Sequence, residues 1–256
     1  MLVDAHVHLR EHDAPGRPRV GAEDLLREMD ACGVDAAVVL PCPGLASNEH
    51  VQRECSAHPD RLLTLYLPDF ARPGETLLAM ERFFESHAPR GLKIHPRFQG
   101  QRPADTIVQE AVAWAEARGL PVLFDVFPHG PSLADPGLHP AAYDALARRR
   151  PGCTIILAHA GGCRAIDAFM VAKANPNVLL DSALSLSYFA ETSVAQDIVF
   201  AIKHLWPGRT LYGSDFPEVG LGAYLRRTEL VLAGIPDDRR PAFYGETAAA
   251  VFKIPA

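Results

Sequence analysis

The sequence predicts an α/β fold, a (β/α)8 TIM barrel, slightly distorted and closed by an extra C-terminal helix. Three observations lead there. The chain has 256 residues, close to the roughly 250 typical of one such barrel. Eight short runs rich in Val, Ile and Leu alternate with amphipathic stretches from end to end, as strands buried on both faces of a parallel sheet must. Charged and imidazole side chains gather at the C-terminal ends of those runs, where barrels of this class place their chemistry.

The elements follow in order. The first strand is expected over residues 2–9, and a helical pattern over 23–29 is stopped by Gly33. Strand 34–40 leads to a helix-compatible stretch over 48–58. Strand 62–67 precedes helix 75–87, whose apolar stripe is Leu77, Leu78, Phe83 and Phe84. Strand 91–95 precedes helix 105–118, which starts at Asp105 as an N-cap and ends at Gly119. Strand 121–127 pairs with helix 139–150, strand 154–159 with helix 164–174, and strand 178–182 with helix 193–205. Strand 210–213 and helix 223–233 complete the set, and helix 242–252 closes the chain. Proline-containing segments over 11–19, 128–140 and 217–222 read as loops above one mouth. No run is followed by GxGxxG, which argues against a doubly wound dinucleotide-binding sheet. No linker composition divides the chain, so residues 1–256 are expected to form one domain.

Composition narrows the function classes. With 48% hydrophobic and 22% charged residues the chain reads as globular. A net charge of −6 argues against a nucleic-acid partner, which would need a basic face. No apolar run approaches the ~20 residues a membrane span requires. Cys32, Cys42, Cys55, Cys153 and Cys163 show no CxxC or zinc-finger spacing. The first strand begins at residue 2, leaving no leader, so a cytoplasmic protein with reduced thiols is expected. Oligomeric state is open, with a homodimer as the default assembly.

The chemistry-bearing residues lie at the strand ends: His6 and His8 on the first, Lys93 and His95 on the fourth, Asp125 on the fifth, His159 on the sixth, Asp181 on the seventh and Asp215 beyond the eighth. Residues i and i+2 of a strand share a face, so both imidazoles of Ala5-His6-Val7-His8 project together. Neutral imidazole is the commonest side-chain metal ligand. Ionisable groups inside apolar strands cost several kcal/mol unless paired or metal-bound, so a scaffold would not collect them. Asp181, next to Ser182, reads equally as a helix cap. Read alone, His159 is as well explained as a core histidine.

Four segments carry a resemblance: Asp4-Ala5-His6-Val7-His8, Gly91-Leu92-Lys93-Ile94-His95-Pro96, Leu157-Ala158-His159-Ala160-Gly161-Gly162 and Gly213-Ser214-Asp215-Phe216-Pro217. Together they are similar to the metal-dependent amidohydrolase superfamily, in the branch of aminocarboxymuconate semialdehyde decarboxylase and the pyrone-dicarboxylate lactonases. The stretch from Tyr244 to Phe252 resembles the closing helix of that branch, with Thr247 where Asn is usual. The resemblance implies His6 and His8 as metal ligands, Asp215 as ligand or proton acceptor, and His159 as a catalytic group near the metal. It implies one divalent ion, Zn²⁺ with Mn²⁺ as the alternative. Lys93 stands where some branches carry a carboxylated lysine bridging two metals. The reading preferred here is a lysine that pairs with a carboxylate, of the protein or of the substrate.

One departure matters. The family carries His at the end of strand 5, where this chain reads Pro121-Val122-Leu123-Phe124-Asp125. Asp125 replaces that ligand with a harder one, or His129 folds back to the site, or the metal is weak or absent. Retained metal is the reading preferred, with His6, His8, Asp125, Asp215 and His159 as its candidate ligands. Lys93, His95, Arg97 and His129 are expected to hold substrate, and Arg164 is a further candidate cation. The expected activity is hydrolysis of a small carboxylate-bearing lactone, amide or ester by an activated water, with Asp215 and His159 moving protons. The alternatives are non-oxidative decarboxylation at the same site and a catalytically silent barrel that binds a small ligand.

Overall fold

A computed structural model describes residues 1–205, 208–233, 235 and 237–255. The strands are β1 (Val3–Val7), β2 (Ala36–Val39), β3 (Leu62–Thr64), β4 (Leu92–Ile94), β5 (Val122–Phe124), β6 (Ile155–Leu157), β7 (Val178–Asp181) and β8 (Thr210–Leu211). The helices between them are α1 (Ala22–Cys32), α2 (Asn48–Cys55), α3 (Pro73–His87), α4 (Pro96–Gln99), α5 (Thr106–Glu116), α6 (Asp144–Arg149), α7 (Ala165–Ala174), α8 (Ser185–Tyr188), α9 (Ser193–His204), α10 (Leu221–Val231) and α11 (Thr247–Phe252). Among the described residues no helix is long and apolar enough to cross a membrane.

Every strand pairing is parallel. The ladders run β1-β2-β3 and β4-β5-β6-β7-β8. Single bridges, Tyr66 with Leu92 and Val7 with Phe216, close the two gaps into a ring. Backbone bonds support them: Lys93 N to Tyr66 O at 2.8 Å, and Asp215 N to His6 O at 2.9 Å. The barrel is therefore distorted where its ladders thin to one bridge, and one of those joints carries the candidate ligands.

Packing divides the strand residues into two sets. Leu92, Ile94, Val122, Phe124, Ile155 and Leu157 belong to a cluster shared with the surrounding helices. Val38, Leu40, Leu63, Leu123, Ile156 and Leu179 belong to a cluster that Ala248 and Phe252 of α11 join. Register places Lys93 level with Leu123, Ile156 and Leu179, so one lysine interrupts an aliphatic layer. On β1 the register with β2 shifts between Asp4 and Val7. Two residues, Ala5 and His6, oppose Val38 alone, which is a β-bulge.

Several boundaries differ from expectation. The helix expected over 139–150 is a 3₁₀ turn, Pro140–Tyr143, followed by α6. The closing helix begins as one π-helical segment, Ala242–Glu246, before α11. Asp105 occupies the N-cap of α5, but its carboxylate accepts from Arg102 N at 2.7 Å and not from the helix. Two one-turn helices, α4 and α8, were not expected, because four residues are too few to show a period.

Candidate metal and catalytic site

The site is built at the joint between β1 and the turn after β8. His8 N donates to Phe216 O at 2.6 Å, so the two segments run locked together. Asp4 Oδ1 accepts from His6 N at 3.2 Å and Ser214 N at 3.0 Å. Asp4 is fully buried, and that burial pushes its carboxyl up to about 7. Asp215 follows in the left-handed conformation, with φ 67°. Such backbone costs about 1–3 kcal/mol and persists where the surroundings over-determine it; here it turns Asp215 back toward β1.

His6 Nε2 and His8 Nε2 lie 3.3 Å apart. Asp215 Oδ1 is 3.4 Å from the first and 3.3 Å from the second. The other nitrogen of each ring is engaged. His6 Nδ1 donates to Asp181 Oδ2 at 2.9 Å, and His8 Nδ1 donates to Leu40 O at 2.7 Å. A carboxylate and a carbonyl only accept, so both Nδ1 atoms carry the ring proton. Two Nε2 lone pairs and a carboxylate oxygen therefore converge on one point. That donor set fits a divalent cation, and outer partners on Nδ1 are what orient metal-bound histidines. Burial, then the charge of Lys93, holds the His6 pKa well below its usual value, which keeps the ring neutral. Burial pushes Asp215 up, but its contact with His8 and the other surrounding imidazoles outweighs it and brings it to about 2.

Asp125 and His159 face each other across a second cluster. His159 Nε2 lies 3.1 Å from Asp125 Oδ2, while its Nδ1 donates to Ala183 O at 3.0 Å. Burial disfavours the imidazolium, but the hydrogen bond and charge of Asp125 overcome it and raise the His159 pKa to about 9. Burial also pushes Asp125 up, and His95 and His159 reverse that and hold it well below the usual carboxylate range. His95 Nε2 approaches Asp125 Oδ2 at 3.5 Å and Arg97 Nη2 approaches Oδ1 at 3.7 Å. Burial takes the His95 pKa down to about 3, so that ring stays neutral. His159 also adopts a left-handed backbone, φ 60°.

Both clusters open into one cavity of about 480 Å³. His8, Lys93, Asp125, His159 and Asp215 line it, and so do Arg97 and His129. Lys93 is 1% exposed, and among the described residues no hydrogen bond to its ammonium is found. Among the described residues, the group whose ligand atoms all lie within 4.8 Å of one another is His6, His8 and Asp215. Asp125 and His159 stand next to that group and engage each other. His129 lies at the rim, 3.5 Å from Arg97 Nη1. Arg164 pairs with Asp167 at 3.5 Å and is outside the set that lines the cavity.

Two carboxylates of this site carry roles that sequence reasoning missed. Asp181 was readable as a helix cap, yet its Oδ1 accepts from His159 N at 2.8 Å and from Ala183 N at 3.0 Å while its Oδ2 holds His6. Asp4 carried no signal beyond its place two residues before His6.

Comparison with known proteins agrees with the barrel fold. A barrel protein from Bordetella bronchiseptica is 18% identical, covers 99% of this chain and 98% of its own, and superposes with a TM-score of 0.82. A probable 2-pyrone-4,6-dicarboxylic acid hydrolase from Acinetobacter baumannii, bound to citric acid, is 11% identical with 98% and 99% covered and a TM-score of 0.74. The 5-carboxyvanillate decarboxylase of Sphingomonas paucimobilis is 17% identical with 99% of each chain covered and a TM-score of 0.72. Identities this low establish the shared barrel and nothing finer. No curated protein matches the sequence. The amidohydrolase family model, by contrast, matches residues 3–254, and the chain belongs to the amidohydrolase family.

Proposed function

We propose that the protein is a metal-dependent hydrolase acting on a small carboxylate-bearing lactone, amide or ester. The observation that carries this reading is the convergence of His6 Nε2, His8 Nε2 and Asp215 Oδ1 within 3.3–3.4 Å, with both Nδ1 atoms engaged elsewhere. His6, His8 and Asp215 would hold the ion, Zn²⁺ with Mn²⁺ as the alternative, and a divalent ion there supplies Lewis acidity toward water and carbonyl oxygen. Asp215 has a second carboxylate oxygen, which accepts the proton of the attacking water. His159, protonated through its pairing with Asp125, donates to the oxyanion or the leaving group. Asp125 acts through His159 by keeping that ring protonated. Lys93 at the floor, with Arg97 and His129 toward the rim, neutralises a substrate carboxylate.

The Lys93 ammonium, which lines the cavity, also supports a second reading. A carboxylate seated on it lies in the same cavity as Asp215 and His159, as non-oxidative decarboxylation requires. Release of CO₂ without uptake of water separates the two.

The test of the metal reading is elemental analysis of protein purified without a metal-affinity tag. About one equivalent of zinc or manganese in the wild type, lost in His6→Ala, is the expected result. Two equivalents would instead indicate a bridging carboxylated Lys93, and none would overturn the proposal.

A further inference from the structure

A second cavity of about 550 Å³ lies against the first and shares Arg17 and Glu218 with it. Four arginines line this second space, Arg10, Arg17, Arg19 and Arg27, against the carboxylates of Asp24, Glu28 and Glu218. Two of the four are committed. Arg19 pairs with Glu54 at 2.7 Å and Arg27 pairs with Asp24. Arg10 and Arg17 instead share a single oxygen, Glu218 Oε1, at 3.4 Å and 3.1 Å. One carboxylate oxygen is a poor match for two planar guanidiniums, each of which can present a fork of donors.

Arg10 makes the shortfall sharper. Its side chain is 8% exposed. Nη1 donates to Pro18 O at 2.8 Å, but Nε is buried with no hydrogen-bond partner among the described residues. A buried charged donor left unmade is costly, so the protein alone leaves the Arg10 guanidinium under-satisfied. Backbone geometry holds the pair in place. Arg10 bridges Val20 and Ala14 bridges Arg17 across an antiparallel hairpin that leaves β1 directly after His8. Glu218 N donates to Asp215 O at 2.9 Å, so Glu218 rides on the same turn as a candidate metal ligand.

We propose that this second cavity binds a small oxyanion, a carboxylate or a phosphate, between Arg10 and Arg17, and that Glu218 occupies part of that site as an internal competitor. The site stands apart from the metal reading, since none of Arg10, Arg17 and Glu218 belongs to the candidate ligand group. Its anion comes either free from solution or as the tail of a substrate whose reacting end lies in the catalytic cavity. A tail crosses the wall that Arg17 and Glu218 form between the two cavities.

Calorimetric titration of the full chain, stripped of metal by chelator, tests this with inorganic phosphate, malonate and adipate. Saturable binding is expected, weakened roughly tenfold or more in Arg10→Gln and in Arg17→Gln, and tightened in Glu218→Gln. Arg17 is 57% exposed on its side chain, so its variant keeps the fold and carries the test if Arg10→Gln misfolds. A free anion binds Lys93→Met as it binds wild type. A tail site shows itself when adipate gains over malonate and loses that gain in Lys93→Met. Absence of saturable binding overturns the proposal. So does binding that survives Arg17→Gln but disappears in Lys93→Met, which would place the anion in the catalytic cavity. Because the protein is metal-free throughout, a failed metal reading leaves these outcomes unchanged.

Discussion

Asp181 sets two histidines with one carboxyl group. Its Oδ2 fixes the ring of His6 at 2.9 Å, and its Oδ1 fixes the backbone of His159 at 2.8 Å. Groups that orient a metal-bound histidine typically contribute 10–100-fold to affinity. Asp181→Ala should therefore weaken zinc binding by about that factor, measured by competition with a chromogenic chelator. An unchanged affinity would mean that His6 is oriented by something else. Asp125 makes the opposite forecast. Because it engages His159, His95 and Arg97, Asp125→Ala should leave the metal equivalents of the purified protein unchanged; their loss would make Asp125 a ligand. At this scale His6, His8, His159 and Asp215 were legible, because imidazole pairs and strand-end carboxylates are rare in apolar runs. The parts played by Asp4 and Asp181 were not. A lone Asp serves as a cap, a ligand or a backbone acceptor, and only its neighbours in space distinguish these.

Elements bring the residues to one point through local irregularities. The bulge on β1 lets Val3 and Ala5 pack with the aliphatic cluster while His6 reaches Asp215. Simple alternation would have put Ala5 and His6 on opposite faces. Gly213 gives His6 its room, since a Cβ there would stand 2.9 Å from His6 Cβ. Gly213→Ala should destabilise the fold by about 1–3 kcal/mol in chemical denaturation and weaken metal binding in the same protein. Stability lost with metal affinity intact would show that His6 absorbs the contact without moving. The short strands and most helices were legible from hydrophobic period. The 3₁₀ turn Pro140–Tyr143 and the π-helical segment Ala242–Glu246 were not. Their apolar spacing is compatible with an ordinary helix, and tertiary packing chooses the hydrogen-bond pattern.

The whole molecule couples folding to the site. The barrel closes between β8 and β1 through one bridge, Val7 with Phe216, and the candidate ligands straddle that joint. A ligand that binds only the native state stabilises it by about 2.7 kcal/mol at a hundredfold excess over Kd. Zinc or manganese should accordingly raise the thermal midpoint of metal-stripped wild type by several degrees. The rise should vanish in a His6→Ala, His8→Ala double variant; an equal rise in both proteins would place the stabilising ion elsewhere. Hydrophobic period and strand-end polarity determined, from the sequence alone, a parallel barrel with imidazoles and carboxylates at one mouth. Those signals are local, and they survive without knowledge of contacts. Only the tertiary structure decided which of those groups meet. Asp215 reaches His6 and His8, Asp125 reaches His159, and Arg10 and Arg17 are left with one carboxylate oxygen between them. The closure of the ring, one register shift and two left-handed residues set those distances, and none of the three is encoded in a repeat that can be read along the chain.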